Sequence, residues 1–182
     1  MMTTLDRGNE TRARILAAAR RLFAERGYAA TSLADIASAV GLTKTAVAYH
    51  FNPKGRIAAE LIAPAADDML ALLGTDFGGD RRAFAEALVG FSTRHRTVIR
   101  LMIEDVGLAD DAPPGSIGEV LRSFRDELYT RLAGPDPTAA ERIRAWAVIG
   151  AIQCVVTRTV DLPERSVHDD LRAAVLAVLD RS

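Results

Sequence analysis

Cysteine is almost absent from this chain: Cys154 is the only one in 182 residues, so no internal disulfide can form. Histidine is nearly as scarce. The three present, at 50, 95 and 168, stand far apart and give no metal-ligand spacing. The sequence also lacks G-x-x-x-x-G-K, G-x-G-x-x-G, H-E-x-x-H and G-x-S-x-G, which removes the common signatures of nucleotide, dinucleotide, zinc-hydrolase and serine-hydrolase chemistry. The acidic pairs Asp67-Asp68, Asp110-Asp111 and Asp169-Asp170 are adjacent, so in a helix they diverge by about 100° and make poor two-carboxylate sites. No apolar run approaches the roughly 18 residues of a membrane span, and MMTTLDRGNETRARIL has no signal-peptide core, so a cytoplasmic location is expected. Catalytic residues, metals and cofactors are expected to be absent.

What is present is 49% hydrophobic and 26% charged residues, enough apolar material at this length to bury a core without staples. Net charge is −1, but it is unevenly placed. Residues 1–60 carry nine basic against five acidic side chains, whereas residues 61–182 carry 14 against 19. The first third is therefore the candidate for a polyanionic partner.

Apolar residues recur at intervals of three and four, and no segment alternates like a strand, so the expected class is all-α with about nine helices. Asn9 is expected to open a helix with Ile15, Ala18, Leu22 and Phe23 on its apolar face, closing at Arg26-Gly27 with Tyr28 folding back as a latch. Ser32-Leu-Ala-Asp35 reads as a capping box for a short helix ending by Gly41, and Thr43 caps another through Phe51. Asn52-Pro53 is expected to launch a helix toward Gly74, divided or kinked at Pro64 because proline cannot donate to the Glu60 carbonyl. Asp80 caps a helix that runs on or breaks near His95, and a further helix carries Leu101, Met102 and Glu104. Ser116 to Glu119 and Thr138 to Glu141 are further capping boxes, opening helices through Leu121 to Leu132 and through Ala145 to Val156. Pro163 to Ser166 begins the last helix, with Val167, Leu171, Ala174, Val175 and Val178 on one face.

Two short helices around a tight glycine turn, inside a basic segment, read as a helix-turn-helix with residues 44–51 as the major-groove element. Ile36, Val40, Leu42 and Val47 would join the two helices, and Ala37 allows a close crossing, leaving Lys44, Thr45, Ala48 and Tyr49 outward. His50 serves either the duplex or the terminal carbonyls of its own helix. Arg12 and Arg14 read as solvated charge, with phosphate reach as the other option.

TRARILAAARRLFAERGYAATSLADIASAVGLTKTAVAYHF followed by NPKGRIAAEL resembles the DNA-binding domain of the tetracycline-repressor (TetR-like) family over about residues 10–62. The resemblance implies a homodimeric transcriptional regulator, with a domain at 8–67 reading double-stranded operator DNA and a domain at 68–182 dimerising and binding a small-molecule effector. It also implies that Ser32 and Thr43 touch phosphates, that Lys44, Thr45 and Tyr49 are recognition-helix contacts, and that His50 and Lys54 lie near the DNA backbone. Position 48 departs from the family, where a tyrosine usually contacts phosphate and this chain has Ala48; position 45 departs as well, because a small residue such as glycine is common where Thr45 stands.

In the second domain, Phe84, Leu88, Phe91 and His95 share one helical stripe, and Trp146, Ile149 and Gln153 another. Such stripes are mostly core; His95 and Gln153 are the polar members, able to orient a ligand or to bond a backbone carbonyl. The expected effector pocket is drawn from Phe91, His95, Met102, Phe124, Trp146 and Gln153. The small stripe Ala147, Gly150, Ala151 and Cys154, together with Leu171, Val175 and Val178 of the last helix, is expected to form a four-helix dimer interface. The competing reading is a helical protein-interaction module without specific DNA binding.

Overall fold

The computed structural model describes residues 4–106 and 117–180, which form nine α-helices and no strand. In chain order these are α1 (Thr4–Arg26), α2 (Leu33–Val40), α3 (Lys44–His50), α4 (Gly55–Gly74), α5 (Arg81–Arg94), α6 (Arg96–Val106), α7 (Ile117–Ala133), α8 (Ala139–Arg158) and α9 (Glu164–Leu179). No helix among the described residues is long and apolar enough to cross a membrane. The chain divides into two compact units, Met1–Asp67 and Asp68–Ser182. The loop-like stretch 107–116, with Ser116 as expected cap and the Asp110-Asp111 pair, lies outside the described residues.

In the first unit, Ile15, Ala18, Ala19, Leu22 and Phe23 of α1 are buried with Ile36 and Ala37 of α2, Val47 of α3 and Ile57, Leu61 and Ala65 of α4. The α1 stripe is the one its spacing predicts. Its start is not: the helix begins at Thr4 and carries Asn9 inside it. An asparagine caps only where the chain before it leaves the helix, and here the preceding residues stay helical. The far end follows the sequence, since Gly27 takes φ +84° and the Tyr28 ring packs edge-on against Phe23 at 5.2 Å.

α4 differs from expectation at two prolines. It begins at Gly55, so Asn52-Pro53 forms the preceding turn and not the first helical position. Pro64 lies within one continuous helix of 20 residues, so the helix is not divided into two. Leu61 and Ala65, on either side of Pro64, are buried.

In the second unit, α9 packs on α5 and α8, α7 on α8 and α5, and α6 on α8. The core is one cluster that includes Leu72, Phe84, Leu88, Phe91, Leu128, Val148 and Ile152. The Asp80 carboxylate accepts from the Arg82 and Ala83 amides, and the Thr138–Glu141 capping box is complete. Leu171 and Val175, expected at a dimer interface, belong to this cluster and are almost wholly buried within the chain. The cause is that α9 uses its apolar stripe to reach α5 and α8, while Ala173, Ala174 and Ala177 on its opposite face are exposed. Val178 is half-buried against the same cluster.

Candidate nucleic-acid interface

The α2–α3 corner is built by caps at both ends of a short turn. Ser32 Oγ accepts from the Asp35 amide while the Asp35 carboxylate accepts from the Ser32 amide at 2.8 Å and from its hydroxyl at 2.6 Å. These bonds, the hydroxyl's first, hold the Asp35 carboxyl below its ordinary range. Gly41 ends α2 in the left-handed region at φ 70°, which lets the Leu42 amide donate back to Ala37 O at 2.9 Å. Thr43 Oγ1 then accepts from the Ala46 amide at 3.1 Å and starts α3.

Val47 and the closing residue Phe51 are fully buried, which fixes the rotation of α3. Thr43, Lys44 and Thr45 are exposed, Tyr49 is 88% exposed, and Ala48 and His50 are half-buried. The His50 ring meets Tyr49 edge-on at 5.5 Å. Among the described residues, Lys44 and Thr45 have no side-chain hydrogen bond or ion pair, so an ammonium and a hydroxyl stand free at the start of the helix.

Two residues assigned to DNA by the resemblance are differently placed. Lys54 donates from Nζ to Tyr28 O at 2.7 Å and Thr31 O at 2.8 Å, and lies 4.0 Å from the Tyr28 ring centroid. It clamps the α1–α2 turn to the start of α4, and its charge faces carbonyls. The Ser32 hydroxyl proton is given to Asp35, so that hydroxyl has no proton for a phosphate oxygen. Thr43 Oγ1 only accepts in its cap, leaving its own O–H available. Ala48 brings no polar group.

Arg12 and Arg14, read as solvated, are both engaged. Arg12 pairs with Glu60 and covers the Phe51 ring at 4.9 Å, and Arg14 donates to Val40 O at 2.9 Å. Arg56, which the sequence did not single out, is exposed in the first turn of α4 without a partner among the described residues. Its signal is the cation two residues beyond Lys54, visible only once Lys54 is known to be occupied.

In the second unit, the structure brings together three of the six expected pocket residues. Phe91 lies 5.1 Å from the His95 ring and 6.3 Å from the Phe124 ring. His95 Nε2 is 2.7 Å from Asp68 Oδ2, a bond that holds the Asp68 carboxyl low, with Arg94 Nη1 3.4 Å from the same oxygen. Met102 and Gln153 are half-buried. Trp146 stands apart, 45% exposed and stacked on Tyr129 at 5.0 Å, because the buried face of α8 runs through Ala145, Val148, Ile149 and Ile152. A cleft of about 600 Å³ opens elsewhere, between Phe77, Phe84, Arg81, Arg131 and Glu141, and contains none of the six. Its two guanidiniums are already taken: Arg81 by Glu141 and Ala133 O, Arg131 by Glu127 and Leu73 O.

Of the face expected to meet a second copy, Ala147, Gly150 and Cys154 are exposed and Ala151 is half-buried. A Cβ built at Gly150 would meet nothing within 4 Å. No helix among the described residues approaches there.

Residues 15–61 match the model of the bacterial regulatory proteins of the tetR family. The chain is 46% identical over 59 residues to the HTH-type transcriptional regulator TtgR of Pseudomonas putida, a match covering 32% of this chain and 28% of that protein. It is 38% identical over 80 residues to the HTH-type transcriptional repressor KstR2 of Rhodococcus jostii, covering 43% and 39%. The chain thus aligns with well under half the length of these curated relatives. The whole fold is similar to the crystal structure of the probable transcriptional regulatory protein RHA5900, with a TM-score of 0.70 at 22% identity over 94% of this chain and 100% of that one.

Proposed function

We propose, from the match of residues 15–61 to the model of the tetR family of bacterial regulatory proteins, that the chain is a homodimeric, DNA-binding transcriptional regulator that acts as a repressor and leaves a palindromic operator when a small molecule binds residues 68–182. The observation that carries the DNA reading is the α2–Gly41–α3 corner with Lys44, Thr45 and Tyr49 outward and unburied. In this reading α3 enters the major groove, and Lys44, Arg56 and the Thr43 and Tyr49 hydroxyls hold phosphates or base edges. Lys54 and Ser32 position the elements and do not touch the duplex. The relatives that share this domain are regulators, and no enzymatic role is assigned.

A second copy would dock along the exposed face of α8 that contains Ala147, Gly150 and Cys154, placing two reading heads about 34–36 Å apart for successive major grooves. Phe91, His95 and Phe124 are the effector-pocket walls of this proposal. The ring contact between Phe91 and His95 ties such a ligand to the His95–Asp68 bond, and Asp68 lies on α4, the helix whose residues are shared by both compact units. Displacing Asp68 is the step that would weaken operator binding, with a coupling of about 1–3 kcal/mol.

The test is selection of fragments from the source genome by the full-length protein, followed by titration of the enriched duplex at several salt concentrations. A palindromic site whose affinity falls steeply with salt is expected. Binding that enriches no sequence and ignores salt overturns the assignment.

A further inference from the structure

The buried anchor of α3 is Val47, and at about 100° per residue the positions opposite it are Thr45 and Tyr49, one turn apart along the exposed ridge. Ala46 and Ala48, both half-buried, flank that ridge. Lys44 stands to one side at the helix start.

The chemistry of this surface is unusual in what it omits. Between Thr43 and Phe51 there is no arginine, asparagine, glutamine, aspartate or glutamate. The arginine fork for guanine, the amide side chains that pair with adenine and the carboxylates that accept from the cytosine amino group are therefore missing, which leaves Lys44 as the cation able to reach guanine O6 and N7. Ser32, on the neighbouring helix, is committed to Asp35. What remains for base edges is one flexible ammonium, the Thr43, Thr45 and Tyr49 hydroxyls, the half-buried His50 imidazole and a row of methyl groups from Thr45, Ala46 and Ala48. In the major groove a methyl surface distinguishes one base above all, because thymine alone presents a C5-methyl. Tyr49 carries its phenol a full turn further along, where an 88% exposed ring reaches outward past the alanine methyls.

We infer that α3 reads its operator through thymine methyl groups, with Thr45 as the specificity-determining residue and at least one T·A pair under it in each half-site. This rests on the DNA-binding reading above and names what that interface selects.

The test starts from a duplex selected by the full-length protein from a random library. Each half-site thymine is then replaced in turn by deoxyuridine, which removes the C5-methyl and leaves pairing unchanged. At one or two positions the replacement is expected to weaken binding about four-fold per half-site, the worth of one buried methyl contact. Thr45→Ser removes the matching methyl from the protein and keeps the hydroxyl; it is expected to bind the thymine and uracil duplexes equally at the position under residue 45. Because Thr45 is exposed, the variant should keep the wild-type unfolding curve, which is measured alongside. Wild-type binding that is indifferent to uracil at every half-site position overturns the inference, as does a Thr45→Ser variant as sensitive to uracil as the parent. In both cases the DNA-binding reading survives. A selection that enriches no sequence overturns both.

Discussion

The two lysines of this chain show how a residue type acquires a role only through its surroundings. Lys44 is exposed at the start of α3 with no partner among the described residues, whereas the Lys54 ammonium is spent on Tyr28 O and Thr31 O against the Tyr28 ring. Lys44→Ala should leave urea unfolding unchanged, weaken operator binding, and lower the slope of log K against log salt by about 1. Lys54→Ala should do the reverse. It removes two charge-assisted hydrogen bonds that join the α1–α2 turn to α4, so a stability loss of about 2 kcal/mol is expected in urea unfolding, with the salt slope of the remaining binding unchanged. A Lys54→Ala slope that falls as far as the Lys44→Ala slope would return Lys54 to the phosphates. Sequence alone could not separate the two, because the carbonyls that occupy Lys54 lie 26 and 23 positions away.

At the scale of helices and turns, the features that sequence reveals are those whose partners lie within four residues. The capping boxes at Ser32 and Thr138, the caps at Thr43 and Asp80 and the glycine stops at Gly27 and Gly41 are all of this kind. The start of α1 at Thr4, the start of α4 at Gly55 and the undivided helix at Pro64 follow from no such cap or stop, and the stack of Trp146 on Tyr129 depends on a residue of another helix. The same local logic yields two measurable effects. At Gly41 a Cβ would meet nothing within 4 Å, so Gly41→Ala is opposed only by the backbone at φ 70° and should cost about 1–2 kcal/mol in thermal unfolding. Gly41→Asn should cost less, since asparagine tolerates that conformation. At α8, hydrogen bonds from the Thr138 amide and hydroxyl, followed by Arg81, hold the Glu141 carboxyl at about 2, below its ordinary 4.5. A folded value below the unfolded one contributes stability that is complete above about pH 4.5 and disappears as pH falls through about 2. An NMR titration should therefore find Glu141 near 2 in the wild type and distinctly higher in Thr138→Ala. Equal values in the two proteins would mean that the capping box does not hold the carboxylate.

At the scale of the assembled molecule, the faces that the monomer leaves unused decide where a second copy can sit. Had α8 been a core helix on all sides, Gly150 would have an in-chain neighbour; instead Ile143, Ala147, Gly150 and Cys154, spaced four, three and four apart, form an exposed line. A glycine in mid-helix costs about 1 kcal/mol relative to alanine, and the monomer obtains no close contact in return. The compensation expected is a second copy of α8 at short range, with the exposed Ala173, Ala174 and Ala177 of α9 beside it. This makes Gly150→Leu a clean probe. Because the added side chain points into open space within the chain, the variant should retain wild-type helix content by circular dichroism and yet sediment as a monomer. Its operator affinity should fall by about a hundred-fold or more, since the two heads would no longer be delivered together. A Gly150→Ala variant refines the result: on a solvent-facing helix it would gain about 1 kcal/mol of stability, but at a packed two-fold contact it should weaken the dimer. A Gly150→Leu protein that sediments as a dimer and binds the operator as the parent does would place the contact between copies on some other surface.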